Sequence, residues 1–126
     1  MLTLAATAVS AAGRHLALVK SEPANSATLI RAPKAITLWF NQKPNLKLTR
    51  LVLIQGTRDT VKMGRVASAD STGKSVRVPI TGVLRSGKYQ VSWRTLSRDG
   101  HAVAGKFSFT VDSTARGVTR ATSKAR

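Results

Sequence analysis

The sequence predicts an all-β fold, a Greek-key β-sandwich of about seven to eight strands. Two observations lead to this class. Apolar and polar residues alternate over short segments, with the period of two that is typical of half-buried strands. Turn-forming residues such as Pro, Gly, Asn and Asp interrupt these segments at frequent intervals. Frequent turns between short alternating segments favour a sandwich of antiparallel strands.

The chain is predicted to contain one domain with two flanking segments. Residues 15–112 form the sandwich, which is long enough for one modest core. Residues 1–14 are predicted to be a signal or leader segment, because Met1 to Ala12 is an apolar, Ala-rich run that ends in small residues. This run is too short to span a membrane. It also lacks Lys and Arg near its start, so a truncated start or a segment that is not a signal stays open. Residues 113–126 are rich in Ser, Thr, Ala and Arg without an apolar period, which indicates a disordered basic tail.

The strands are predicted from the alternating segments in chain order. They are residues 15–20, 29–30, 36–40, 46–55, 60–67, 76–80, 89–93 and 107–111. The apolar run from Leu51 to Ile54 predicts a strand covered on both faces. Val76, Val78 and Ile80 alternate in the manner of a strand with one buried face.

Two aromatic segments are expected to form the centre of the core. Tyr89 and Trp93 alternate with polar residues in one of them, and Phe107 and Phe109 do so in the other. Tyr89, at the start of its strand, is predicted to be a tyrosine corner whose hydroxyl bonds to the backbone. Such a corner is typical of immunoglobulin-like sandwiches.

Composition limits the chemistry of the chain. It has no cysteine, which excludes disulfides, thiolate metal sites and thiol nucleophiles. The net charge of +16 predicts attraction to anionic surfaces through the basic surface and tail, although a basic surface that is merely solvated is the alternative. The sequence lacks an RNP-like aromatic motif, a zinc-finger spacing and a recognition-helix pattern. Specific nucleic-acid recognition is therefore not expected, and only nonspecific contact stays open.

Asp99 and His101 are the best pair of metal ligands in the sequence. In an extended segment, residues two apart point to the same face, and a loop built on Gly100 would also bring them together. Arg98 is expected to keep Asp99 ionised. Because Asp-x-His is common by chance, a surface turn with a solvated histidine is the alternative.

His15, the other histidine, follows the apolar leader, where processing would make it the first residue or nearly so. An N-terminal histidine chelates a metal through its α-amine and its ring Nδ1. With a second imidazole and a carboxylate, the donor set becomes N3O, which suits Cu(II). Cleavage after Ala12 would instead leave Gly13-Arg14-His15, and Gly-x-His at a free N-terminus is itself a Cu(II) chelate. Cleavage directly before His15 fits the small-residue rule poorly.

Several motifs between His15 and about Val111 carry a family resemblance. They are Leu18-Val19-Lys20-Ser21-Glu22-Pro23-Ala24, Leu38-Trp39-Phe40, Gly87-Lys88-Tyr89-Gln90-Val91-Ser92-Trp93-Arg94, Ser97-Arg98-Asp99-Gly100-His101 and Gly105-Lys106-Phe107. In these motifs the sequence resembles the CopC-type periplasmic copper-binding proteins. The resemblance implies an immunoglobulin-like or cupredoxin-like sandwich, a periplasmic or secreted location, and copper storage, delivery or resistance. It also implies a Cu(II) site formed by His15 with its amine, Asp99 and His101, and a membrane copper transporter as a candidate partner.

The sequence departs from this family at two places. CopC-type proteins with a second, Cu(I) site carry a Met-rich loop, whereas the methionines here are Met1 and Met63. A single Cu(II) site is therefore expected. Asn41 and Gln42 stand where the family often has Ser-Glu, so less negative charge is expected near the metal.

No enzyme activity is expected, because no nucleophile and base stand at a motif spacing. A metal-free basic sandwich that binds anionic surfaces is the main alternative function. A copper monooxygenase of the histidine-brace type is the less favoured one.

Overall fold

The computed structural model describes residues 15–113, which form two β-sheets packed around one core. This part of the chain contains nine strands and one short 3-10 helix. The strands are β1 Leu18–Glu22, β2 Ala27–Leu29, β3 Ala35–Phe40, β4 Arg50–Gln55, β5 Asp59–Val61, β6 Ala67–Ser68, β7 Ser75–Pro79, β8 Gly87–Leu96 and β9 Ala102–Val111, and the 3-10 helix is Leu46–Leu48. The predicted leader, residues 1–14, and the predicted tail beyond residue 113 lie outside the described residues. Within residues 15–113, no helix is long and apolar enough to cross a membrane.

The two sheets confirm the predicted β-sandwich class. One sheet has the strand order β1-β3-β7-β6 with antiparallel neighbours throughout. The other has the order β2-β9-β8-β4-β5, in which β2 and β9 are parallel and the remaining neighbours antiparallel. Between Leu18 and Val111 the chain passes from one sheet to the other five times. Strands that are adjacent in a sheet are therefore often distant in sequence, as in Greek-key sandwiches.

The core lies between the inward faces of the two sheets, and the predicted aromatic strands form its centre. The rings of Tyr89 and Phe109 stack with their centroids 5.4 Å apart. The ring of Trp93 meets that of Phe40, from the opposite sheet, edge to face at 5.3 Å. These contacts join both ends of β8 to the core, so the alternation in the sequence correctly identified the buried face.

Tyr89 forms the predicted tyrosine corner. Its side chain is buried, and its hydroxyl donates a hydrogen bond of 2.6 Å to the backbone oxygen of Arg85, four residues earlier. Burial raises the pKa of Tyr89, which keeps the hydroxyl protonated as a donor. The bond therefore fixes the chain at the point where it enters β8.

The prediction of a strand over residues 46–55 is wrong for the first half of this segment. The prediction that both faces of the strand are covered is also wrong. Asn45 caps the short helix by accepting a hydrogen bond from the amide of Lys47 at 3.1 Å, and β4 begins only at Arg50. Leu53 is fully buried, but Val52 is 41% exposed. β4 thus has one buried and one exposed face, which is usual in an antiparallel sheet with one face toward water.

The predicted strand 60–67 is divided between the two sheets. Its first part is β5, beside β4, and its last residue begins β6, beside β7. Between them the amide of Gly64 donates to the backbone oxygen of Pro79 at 2.7 Å, and Met63 forms an isolated bridge with Ile80. Alternation alone does not show a change of sheet, because the polar and apolar positions continue through it.

Gly105 provides a test of the core packing. It lies opposite Trp93 in the β8–β9 pairing, and a Cβ atom added to it would come within 2.6 Å of the indole Cζ2 atom. The substitution Gly105→Ala is expected to lower the free energy of unfolding in urea by about 1–3 kcal/mol, because the packed ring has to move. Ser108→Thr adds a methyl group to an exposed position of the same strand and should change this free energy by less than about 0.5 kcal/mol. Equal stability of Gly105→Ala and the unsubstituted protein would contradict the close packing.

Candidate metal site

The Asp-x-His motif lies in the tight turn that joins β8 and β9. The two strands pair without interruption from Gly87 opposite Val111 to Leu96 opposite Ala102. The remaining residues, 97–101, are called the Asp-x-His turn. Gly100 takes a positive φ of 89° there, which glycine adopts without a Cβ clash. Of the two arrangements left open by the sequence, the loop built on Gly100 is the one observed.

Asp99 and His101 are in direct contact within this turn. Asp99 Oδ2 lies 2.9 Å from Nδ1 of His101. The hydroxyl of Ser97 donates to Asp99 Oδ1, and the amide of His101 donates to Ser97 Oγ at 3.2 Å. The turn is closed by the amide of Ser97, which donates to the backbone oxygen of His101 at 2.9 Å. The two side chains are therefore held relative to each other while both stay largely open to solvent.

These hydrogen bonds hold the pKa of Asp99 at about 2. The Ser97 hydroxyl is the main cause, and His101 is the second. Arg98, which the sequence predicted for this role, is not among the causes. Asp99 is consequently an anion at any ordinary pH, and its negative charge is available to a cation.

The contact with Asp99 also sets how His101 can bind a metal. A carboxylate that accepts from Nδ1–H keeps the other ring nitrogen, Nε2, as the lone-pair nitrogen. The side chain of His101 is 78% exposed, so Nε2 is accessible. Two arrangements are compatible with this geometry: Asp99 orients His101 as a metal ligand, or Asp99 leaves His101 and becomes a ligand itself.

His15 reaches the same place from the other sheet. Leu16 is buried in the core and anchors the segment. The side chain of Asn41, just after β3, donates to the backbone oxygen of His15 at 2.7 Å and accepts from the amide of Ala17 at 2.8 Å. The amide of Asn41 also donates to the backbone oxygen of Ala17 at 3.1 Å. Asn41 thus fixes the path of the chain on both sides of Leu16, which the sequence reasoning did not predict.

One pocket of about 190 Å³ brings the three predicted ligands together. Its walls are His15, Leu16, Gln42, Ser97, Arg98, Asp99, His101 and Val103. Within residues 15–113, however, no three His, Asp or Glu side chains are close enough to form a ready-made metal cluster. Asp99 and His101 are in contact, whereas His15 lines the pocket separately. Two imidazoles and a carboxylate are donors that fit Cu(II), so the residues present suit this metal.

Comparisons with known proteins agree on one family. A family model described as the CopC domain matches residues 18–112. Copper resistance protein C of Xanthomonas campestris pv. juglandis is 34% identical over 116 residues, which cover 88% of this chain and 91% of that protein. Protein YobA of Escherichia coli (strain K12) is 29% identical over 97 residues, which cover 77% of this chain and 78% of YobA.

Solved structures give the same result. The crystal structure of CopC from Methylosinus trichosporium OB3b matches with a TM-score of 0.71 and 28% identity, over 78% of this chain and 94% of that one. PcoC, a methionine-rich copper resistance protein from Escherichia coli, matches with a TM-score of 0.69 and 30% identity, over 78% of this chain and 99% of that one. The similarity therefore covers nearly the whole of both solved chains.

The role of Asn41 can be tested by hydrogen exchange. In Asn41→Ala, the amide of Ala17 loses its acceptor and should exchange about tenfold faster, as expected for the loss of one hydrogen bond. Asn41→Asp keeps an oxygen at this position and should retain most of the protection. The amide of Gly100, which donates within the Asp-x-His turn, is the internal control and should not change. Unchanged exchange at Ala17 in Asn41→Ala would show that the segment is held by other contacts.

Proposed function

The chain belongs to the CopC family, and we propose that it is a periplasmic or secreted Cu(II)-binding protein that serves copper storage, delivery or resistance. The observation that carries this proposal is the pocket lined by His15, Asp99 and His101. The names of two relatives, copper resistance protein C and PcoC, a copper resistance protein, support it. The predicted leader, residues 1–14, supports export from the cytoplasm.

Each of the three residues has a distinct role in the proposed site. His101 binds through Nε2, with the ring held by Asp99 at Nδ1. Asp99 supplies the negative charge, either from this position or as a ligand. His15 supplies a second imidazole and, where processing makes it the first residue, the α-amine that completes a chelate. With Asp99 as a ligand and His15 as the first residue, the donor set is N3O, the borderline donors that Cu(II) prefers.

We further propose a single Cu(II) site without a Met-rich Cu(I) site. The solved relative PcoC is described as methionine rich, whereas this chain has two methionines. Met63 is partly buried against the core and pairs with Ile80 through the backbone. It is absent from the residues that line the His15 pocket. Thioether donors, which favour Cu(I), are thus not part of the proposed site.

The proposal describes a binding protein rather than an enzyme. Ser97, a hydroxyl that lines the pocket, donates a hydrogen bond to Asp99, but the pKa of about 2 makes this carboxylate too weak a base to activate a serine nucleophile. A membrane copper transporter is the partner that the family membership favours.

A metal-free basic sandwich that binds anionic surfaces remains the second candidate, favoured by the net charge of +16. Copper titration of the processed protein distinguishes the two.

Substitution of His101 tests the site directly. Electron paramagnetic resonance of the copper-loaded, processed protein should show nitrogen hyperfine structure that weakens in His101→Ala. The affinity for Cu(II) should fall at least about 100-fold, since loss of a ligand costs more than loss of an outer-shell partner. An unchanged spectrum would remove His101 from the site.

Asp99→Asn separates the two roles of the carboxylate. The amide oxygen can still accept from His101 Nδ1–H, so a purely orienting Asp99 predicts a loss of affinity of about 10–100-fold or less. A ligand role predicts a larger loss. Asp70→Asn removes a carboxylate from an exposed turn outside the pocket and is the matched control, expected to bind copper normally.

The N-terminus is tested by two forms of the protein, one that begins at Met1 and one that begins at His15. The form beginning at His15 should bind Cu(II) more tightly by orders of magnitude, because its α-amine and imidazole close a chelate ring on the same ion. Copper titration with a competing chelator measures the difference. Equal affinity would show that the amine is not a ligand. The intact mass of the protein from its native host determines which form occurs.

A further inference from the structure

Two arginines lie side by side on the exposed face of the five-stranded sheet. Arg50 of β4 is directly opposite Arg94 of β8, and both side chains are exposed. Like charges at directly opposed positions destabilise a strand pair. Within residues 15–113, neither guanidinium has a carboxylate in ion-pair contact. Within residues 15–113, the fold therefore places two like charges at opposed positions without an ion pair to either.

A pocket of about 170 Å³ lies at this pair, and it combines charge with apolar walls. It is lined by Arg50, Arg94, Leu48 and Leu96. Leu48 is 49% exposed, and Val52, on the same face of β4 as Arg50, is 41% exposed. Guanidinium groups bind carboxylates through two parallel hydrogen bonds, and the leucines offer contact to an aliphatic stem. We call this surface, with Val52, the Arg50–Arg94 surface.

Buried threonines fix the backbone beneath this surface. Thr49 and Thr95 are both buried, and their hydroxyl oxygens are 2.7 Å apart. Thr49 donates its proton to the backbone oxygen of Asn45 at 2.6 Å, so Thr95 is the donor in the bond between them. Because the neighbours of both arginines are locked in the core, the strand positions of the arginines are set before any ligand arrives. Such preorganisation favours binding.

We propose that the Arg50–Arg94 surface binds an acidic segment of a partner protein, with a Glu or Asp carboxylate between the two guanidiniums and apolar side chains on Leu48 and Val52. Arginine is enriched at protein interfaces, and the exposed leucines and Val52 add apolar area that a partner can cover. The exposed apolar residues of the surface favour a protein over the hydrated phosphates of a membrane surface. A second copy of the chain is disfavoured, since two surfaces of a protein with a net charge of +16 repel each other.

The surface lies next to the candidate metal site. Leu96 is the last residue of β8 and directly precedes the Asp-x-His turn, and its backbone oxygen accepts from the amide of Asn45 at 3.1 Å. A partner bound here would reach the same end of the sandwich as the His15 pocket. The binding of an acidic segment itself does not depend on copper, so it is tested separately.

The first experiment uses nuclear magnetic resonance of the 15N-labelled chain. The probe is the peptide acetyl-Glu-Leu-Glu-Leu-Glu-amide, and the control peptide has Gln in place of each Glu. Saturable shifts are expected at residues 48–52 and 94–96 with the acidic peptide only. Equal shifts with the Gln peptide, or shifts spread over all basic residues, would overturn the proposal.

The second experiment compares two double variants that lower the net charge equally. Arg50→Gln/Arg94→Gln should bind the acidic peptide at least about tenfold more weakly, as for loss of an interface anchor. Arg31→Gln/Arg77→Gln removes two exposed arginines outside the surface and should bind nearly as the unsubstituted protein does. If both double variants bound the acidic peptide equally weakly, net charge alone would explain the binding, and the proposal would be overturned.

Thermal unfolding and vesicle binding complete the test. The midpoint of Arg50→Gln/Arg94→Gln should equal or exceed that of the unsubstituted protein, because the cross-strand repulsion is relieved. A lower midpoint would give the pair a structural role and overturn the proposal. Cosedimentation with phosphatidylglycerol vesicles should decrease equally in both double variants. A decrease confined to Arg50→Gln/Arg94→Gln, with peptide binding unchanged, would assign the surface to membranes instead.

Discussion

The continuous pairing of β8 with β9 is the constraint on which the rest of the structure depends. Ten residue pairs follow one register from Gly87–Val111 to Leu96–Ala102. At one end, the register brings Tyr89 opposite Phe109 and so builds the stacked pair in the core. At the other end, it leaves residues 97–101 as the turn. A one-residue slip would turn every side chain of the strand to the other face, so the core and the metal-site turn are specified together.

The two faces of β8 differ in burial. Tyr89, Val91, Trp93 and Thr95 point inward and are buried, and the residues between them point outward. Arg94 therefore faces solvent because Trp93 and Thr95 face the core. The same parity applies to β4, where Leu53 is buried and Arg50 is exposed. The stable inward faces thus fix the position of charged groups that contribute nothing to the core.

The sequence predicted what depends on local pattern and missed what depends on pairing. Alternation and the tyrosine corner were predicted correctly, because both are local features of one strand. The division of 60–67 between sheets was missed, because it depends on which strand each half pairs with. The register that places Arg50 beside Arg94 could not be predicted from the sequence either, since the two residues are far apart along the chain. For the site, the Asp-x-His motif was visible as a sequence motif, but the hydrogen bonds from Asn41 depend on a contact between β3 and the segment before β1.

The candidate metal site is built from a rigid part and a tethered part, and this difference has a consequence for binding. Asp99 and His101 are held by hydrogen bonds within five residues, so their geometry follows from the turn alone. His15 is held through its backbone by Asn41 and by the burial of Leu16, which leaves its exposed side chain able to rotate. The backbone of His15 is therefore already placed at the pocket, and rotation of the side chain is the freedom that remains for bringing its imidazole to a metal at the turn. Because only side-chain freedom is lost in that step, the entropic cost of completing the site is small compared with ordering a loop.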